Sequence, residues 1–343
     1  MSLFEQILGI TVGIIVCAAF LIVMLIAIRL VTNRQMTGNN PLIKYHRNKD
    51  GAKLSQSEQR AINIGAIMTE FNHEYCDSLQ SVKQSATKHL KRTLEVGWGI
   101  DSAEKAEKAL ERLKNKTQSR IFNLILSDAA KSHGREPSFE EFLLLYGRAD
   151  LPIIDAEIVK EYEREAGLAE KHIDILHALH IAASEEERNL LIEKDKALFG
   201  DAETYRLCIQ IYRTVSNKYN DYLRYSKNLE KTWEILRKHG FVVERSELTR
   251  IDPTAWDMGR MVNVARWSYT CGYLSENKAW EFIFLAEKES SACYVDWAAF
   301  SNAYIIGRAL WGDEDEQLDI MISAAKGLLI DEASPWKSMP LNN

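Results

Sequence analysis

From Ile7 to Ile28 the chain runs for twenty-two residues without a charge, broken only by Gly9, Thr11 and Gly13. As a helix this run spans roughly 33 Å, enough to cross the hydrocarbon core of a bilayer. A cleaved signal peptide would need a basic leader and a shorter apolar stretch ending in small residues. Here the leader MSLFEQ carries only Glu5, and the far end reads LIVMLIAIRL. The sequence therefore predicts a single retained transmembrane helix that meets the lipid bilayer through residues 7–28. Its orientation follows from the basic flanks, which stay on the cytoplasmic side. No Lys or Arg precedes the run, whereas Arg29, Arg34, Lys44, Arg47, Lys49 and Lys53 follow it. The expected layout is an anchor over 1–31 with its amino end outside, a polar basic linker over 32–55, and a cytoplasmic domain over 56–343. The linker is basic enough to rest on anionic headgroups.

The remainder is expected to be all-α. Its 17 glycines and 6 prolines in 343 residues are too few for a barrel or sandwich of many short strands. Forty-three Lys and Arg against 49 Asp and Glu give a net charge of −6, which argues against gripping nucleic acid by bulk charge. The five cysteines are dispersed and form no Cys-x-x-Cys pair, so they suit a reducing compartment better than a disulfide scaffold or a zinc site. Polar caps followed three residues later by Glu mark helix starts at Ser55, Asp101, Ser138, Ser184 and Asp313, and Asp252 before Pro253 marks another. Gly134, Gly200, Gly240, Gly272 and Gly312 sit where helices end. About nine or ten helices are expected after the linker. Phe241 to Glu244 is the one stretch with an extended look.

One of these helices is long. Tyr205, Cys208, Tyr212, Val215, Tyr219, Tyr222, Ser226, Leu229, Trp233 and Leu236 alternate steps of three and four, the seam of a helix packed lengthwise on another. Val159, Tyr162, Ala166, Ala169, Ile173 and Leu176 repeat the pattern upstream. An antiparallel helical arm over about 153–240 is the expectation. A dimerising coiled coil is the alternative, disfavoured by four tyrosines in the seam.

Candidate chemistry is sparse. Asp174, His177 and His180 share one helical face at metal-compatible spacing, but no second element offers matching ligands, so a half-exposed helix face is the plainer reading and no cofactor is expected. No phosphate loop, nucleophile elbow or His-Glu-x-x-His is present. The last third is unusual. Trp256, Trp267, Trp280, Trp297, Trp311 and Trp336, six of eight tryptophans, follow residue 252. Among them stand Asp257 and Arg260, one turn apart, then Arg266 and Arg308. These arginines either stack on rings and pair with Asp257 to fasten helices, or line a cleft for an anion or a partner's carboxylate. Gly307, before Arg308, would admit either another helix or a ligand.

Several of these residues form an ordered string: Trp256-Asp257-Met258-Gly259-Arg260, Ala265-Arg266, Gly272-Tyr273-Leu274-Ser275-Glu276, Ala279-Trp280, then Trp297, Phe300, Tyr304, Gly307, Arg308, Trp311 and Ser334-Pro335-Trp336 with Pro340. With Gly97-Trp98-Gly99-Ile100 upstream, the string resembles the bacterial domain of unknown function 1266 family. The likeness runs over roughly 95–340, with motifs at about 95–150 and 252–340 separated by the arm. It implies a bacterial protein with no established activity, while the inner-membrane setting rests on the apolar run and its basic flank, which lie outside the motifs. The expectation is thus a membrane-anchored helical interaction or scaffold protein with a protein partner. The alternative is an enzyme or ligand sensor whose Asp257, Arg260, Arg266, Arg308, Trp256, Trp280 and Trp311 form an anion-binding cleft.

Overall fold

The computed structural model describes residues 45–132, 181–199, 202–312 and 315–342, with a few positions between 137 and 179. The apolar run 7–28, the segment 153–170 and the Asp313 cap lie outside the described residues. Among the described residues no helix is long and apolar enough to cross a membrane. Residues 47–343 make one compact unit. The described residues are all-α, with twelve α-helices and no strand.

The hub is a helix buried on every side. We number the helices α1 (Gln56–Asn63), α2 (Ala66–Phe71), α3 (Thr87–Trp98), α4 (Ala103–Lys114), α5 (Thr117–Ser132), α6 (Glu185–Phe199), α7 (Ala202–Lys238), α8 (Thr254–Thr270), α9 (Glu276–Cys293), α10 (Trp297–Trp311), α11 (Asp315–Ile330) and α12 (Pro335–Ser338). Every residue of α8 from Thr254 to Ser268 is buried, and the helix packs against α2, α3, α4, α5, α9 and α10. A helix enclosed all round ordinarily carries apolar residues all round. This one also carries Asp257, Arg260, Asn263 and Arg266 at three-residue steps, so its polar groups must find partners inside the protein.

Against α10, two glycines let the helices meet. A Cβ at Gly307 would lie 2.5 Å from the Cβ of Trp256, and one at Gly259 would lie 2.5 Å from Cε2 of Tyr304. Each helix thus accepts the other's ring at its own glycine. Gly307 admits a helix, which resolves the choice its sequence context left open. At the other end of the chain, Trp336 stacks on Trp297 with centroids 4.6 Å apart, and its Nε1 donates to the Asn63 carbonyl at 2.9 Å. Asn63 Nδ2 returns a bond to the Pro335 carbonyl at 3.1 Å, tying α1 to α12.

Local signals hold where their geometry can be seen, with shifts of one residue. Ser55 and Glu58 form a reciprocal capping box. Ser184 Oγ accepts from Glu187 N at 3.1 Å. At α4 the cap is Ser102 rather than Asp101, because Asp101 is taken by the Lys105 ammonium at 2.6 Å. Pro253 occupies the cap of α8 instead of its first turn, while Asp252 Oδ1 accepts from Thr254 N. Gly240 and Gly272 take the left-handed conformation expected of them, but Gly312 stays extended at φ −126°.

The long helix is α7, with 37 residues. Side chains are described for its second half, where Tyr219, Tyr222, Leu229 and Leu236 of the expected seam are buried. This half packs against the body of the domain. Tyr225 meets Phe122 of α5 edge-on at 5.0 Å, and Asn228 Nδ2 donates to the Leu310 carbonyl of α10 at 3.0 Å. Tyr225 and Asn228 are off the seam, because two flanking helices rather than one bury this face.

Candidate functional site

A cleft of about 570 Å³ opens where α2, α3, α4, α5, α8, α10 and α11 converge. Four tryptophans line it, Trp98, Trp256, Trp267 and Trp311, together with Asp257, Arg112, Arg260 and Arg308. Helix ends place two of the rings. The last turn of α3 closes on Gly99 at φ +66°, with Gly99 N bonded to Glu95 O and Ile100 N to Leu94 O, and this leaves Trp98 at the wall. Trp311 is the final residue of α10 and is 45% exposed, whereas Trp256 and Trp267 are buried.

Asp257 and Arg260 are both functional-looking and structurally committed. Asp257 Oδ2 accepts from the Ser119 amide at 3.1 Å and the Ser119 hydroxyl at 2.6 Å. Ser119 lies in the first turn of α5, where amides lack helical partners, so Asp257 caps α5 from another helix and meets the positive end of its dipole. Oδ1 pairs with Arg260 Nη2 at 2.5 Å. The same Nη2 donates to Gln118 Oε1, and Nε donates to the Trp256 carbonyl at 3.2 Å. The guanidinium lies 4.6 Å from the Trp256 ring and 5.7 Å from that of Trp98. Burial pulls the Arg260 pKa down and the Asp257 charge opposes that pull. Arg260 Nη1 has no acceptor among the described residues.

Arg308, 2% exposed, donates from Nη2 to Gln317 Oε1 at 3.2 Å and sits 5.7 Å from the Trp311 ring. Its guanidinium folds over Gly312, whose missing side chain leaves the room. Behind the wall, the Trp256 Nε1 and the Tyr304 hydroxyl are buried without a hydrogen-bond partner. Burial raises the Tyr304 phenol's pKa.

Two sequence candidates stand elsewhere. Arg266 is nine residues after Asp257, two and a half turns, so it points about half a turn away from it. There it fastens α2 and the loop after it. Nη1 donates to Thr69 Oγ1 at 2.9 Å, and Nη2 donates to the carbonyls of Ser78, at 2.9 Å, and of Tyr75. Glu74 Oε2 lies 4.0 Å from Nη1, and Glu74 Oε1 accepts from Trp267 Nε1 at 2.7 Å. Burial raises the Glu74 carboxyl to about 7 despite the Arg266 charge. Trp280, on α9, stacks on Phe284 at 5.4 Å and is not part of the cleft. Asp174 and His177 are exposed, while His180 lies outside the described residues. No group of three metal-ligating side chains occurs among the described residues.

Gln118, Ser119, Asn263 and Glu74 escape a motif reading. Asn263 Nδ2 donates to the carbonyls of Gly65, at 3.0 Å, and Gly259, while its Oδ1 accepts from Thr69 Oγ1. The three-residue spacing within α8 was the available signal for Asn263. Nothing local marks Gln118 or Ser119, whose partner is 138 residues away.

Compared with known families, residues 93–341 match the one described as "Protein of unknown function (DUF1266)". The chain belongs to the DUF1266 family. No curated protein and no solved structure matches it. The DUF1266 match covers the whole cleft wall from Thr93 onward, including Trp98, Asp257, Arg260, Arg308 and Trp311. It stops short of α1, α2 and the loop after them, although Asn263, Arg266 and Trp267 of the DUF1266 region take their partners there.

Proposed function

We propose that this protein is a membrane-anchored helical receptor for a small organic anion, held in the cytoplasmic domain by the cleft of Arg260 and Arg308. The observation that carries this reading is the convergence of three arginines, Arg112, Arg260 and Arg308, and four indoles from different helices on one opening. Its volume falls in the range of small-molecule sites, which are mostly apolar with a few converging polar groups. A scaffold that acts by protein contact would draw on exposed apolar surface. The large exposed apolar side chains such as Val96, Val243, Val295 and Ile330 stand on four separate segments. An enzyme would need an accessible nucleophile or base. Asp257 already has Ser119 and Arg260 on both of its oxygens.

In this proposal residues 7–28 span the inner membrane and the amino end is outside. The basic residues after the span support that topology. A carboxy-terminal alkaline phosphatase fusion should be inactive, and activity in the periplasm would overturn the orientation. For the cleft, titrating the full chain in detergent with a panel of small organic anions should shift tryptophan emission and raise the melting temperature. If no member of the panel does either, the receptor reading falls.

A further inference from the structure

We infer that the ligand class of this cleft is a planar aromatic anion with a single carboxylate-sized head, its head at Arg260 and its ring against the rim indoles. The inference rests on the receptor reading above and narrows it to one chemistry.

A donor left over at the wall points to the head. Arg260 Nη1 has no acceptor among the described residues, and the guanidinium is 6% exposed on a cleft it lines. Trp256 Nε1 and the Tyr304 hydroxyl, buried behind the wall, do not face the opening, so the head falls to Arg260. A guanidinium N–H that lines an opening and has no acceptor there biases the site toward a negative guest.

The backbone donors on offer limit that guest to a small head. Of the three arginines that line the cleft, Arg112, Arg260 and Arg308, Asp257 neutralises one, and it also takes the α5 amide that would otherwise meet an anion. No glycine-rich loop lines the opening to cradle a chain of phosphates. One anionic group fits this arrangement and a polyphosphate does not.

The rings select the body. Trp98, Arg260, Trp256 and Trp311 form a row with successive separations of 5.7, 4.6 and 5.9 Å. The two inner members are buried, while Trp98 is partly exposed and Trp311 is 45% exposed. A ring beside either rim indole gains stacked or edge-on contact as well as apolar burial, whereas an alkyl chain gains only the burial.

The test uses the full chain in detergent and calorimetric titration with four probes: 2-naphthoate, its neutral counterpart 2-naphthamide, decanoate and inorganic phosphate. Naphthoate should bind at least about tenfold more tightly than the amide or decanoate, the scale of one charge-assisted contact, and phosphate should show no binding. Arg260→Gln should lose that preference for naphthoate over naphthamide. Because that variant disturbs a buried pair, Trp311→Ala supplies a second reading. It removes a half-exposed ring, should leave melting close to wild type, and should weaken naphthoate by about tenfold. Equal binding of decanoate, or tighter binding of phosphate, would overturn the aromatic class while leaving a ligand cleft in place. Binding of naphthoate unaffected by Arg260→Gln and Trp311→Ala would place it outside the cleft and overturn the inference. Silence from all four probes would remove both the inference and the reading beneath it.

Discussion

At the scale of single residues, the arginines of α8 differ in what their loss should do. Arg266 is fully buried and holds the Thr69 hydroxyl of α2 and two carbonyls of the loop after it. Arg266→Ala should cost about 3 to 5 kcal/mol, because it strands Glu74 and two carbonyls in the interior. Thermal melting of the full chain would read this as a large drop with no specific effect on ligand binding. Glu74 allows a sharper test through pH. Its folded pKa of about 7 lies above the unfolded value near 4.5, so the folded state holds the proton more tightly. That contribution is fully present below about pH 4.5 and is lost as pH rises toward 7. The wild-type melting temperature should therefore fall across this window by more than that of Glu74→Gln, which cannot ionise. Parallel profiles would show that Glu74 is ionised throughout and paired with Arg266.

At the scale of elements, the reciprocal seating of α8 and α10 predicts the effect of one methyl group. Gly307→Ala would press on the Cβ of Trp256, a backbone-proximal atom with nowhere to turn. It should destabilise by about 1 to 3 kcal/mol, measured by denaturant unfolding, and should perturb the emission of the cleft tryptophans. A wild-type midpoint would mean the two helices can part without cost. This contact also shows what the sequence made legible. Helices, caps and the buried tryptophans follow from periodicity and from residues within a few places of each other, as at Ser55 and Gly272. The pairing of Asp257 with Arg260 was visible for the same reason. The capping of α5 by Asp257, and the separation of Arg266 from the cleft, depend on which helices become neighbours. Ser119 and Glu74 carry no local mark of that, and a stepwise polar stripe looks like one face until its rotation about the helix axis is followed.

At the scale of the whole molecule, the folded unit is larger than its family segment. Residues 47–343 form one compact unit, and α1, α2 and the following loop supply partners to Asn263, Arg266, Trp267 and Trp336. A fragment of residues 47–343 should be strongly helical and melt cooperatively by circular dichroism. A fragment of 93–343 should not, since it leaves these donors without acceptors. Cooperative melting of the shorter piece would show that the first two helices are accessory. The polar stripe of α8 has one more consequence. A smooth apolar rod could slide or turn in its channel and find other comfortable positions. A rod studded with Asp257, Arg260, Asn263 and Arg266 cannot, because a slip of one residue would drive four polar groups into apolar walls at once. The interior of this protein therefore works as a keyed lock, in which the central helix has a single seat and rival packings are refused.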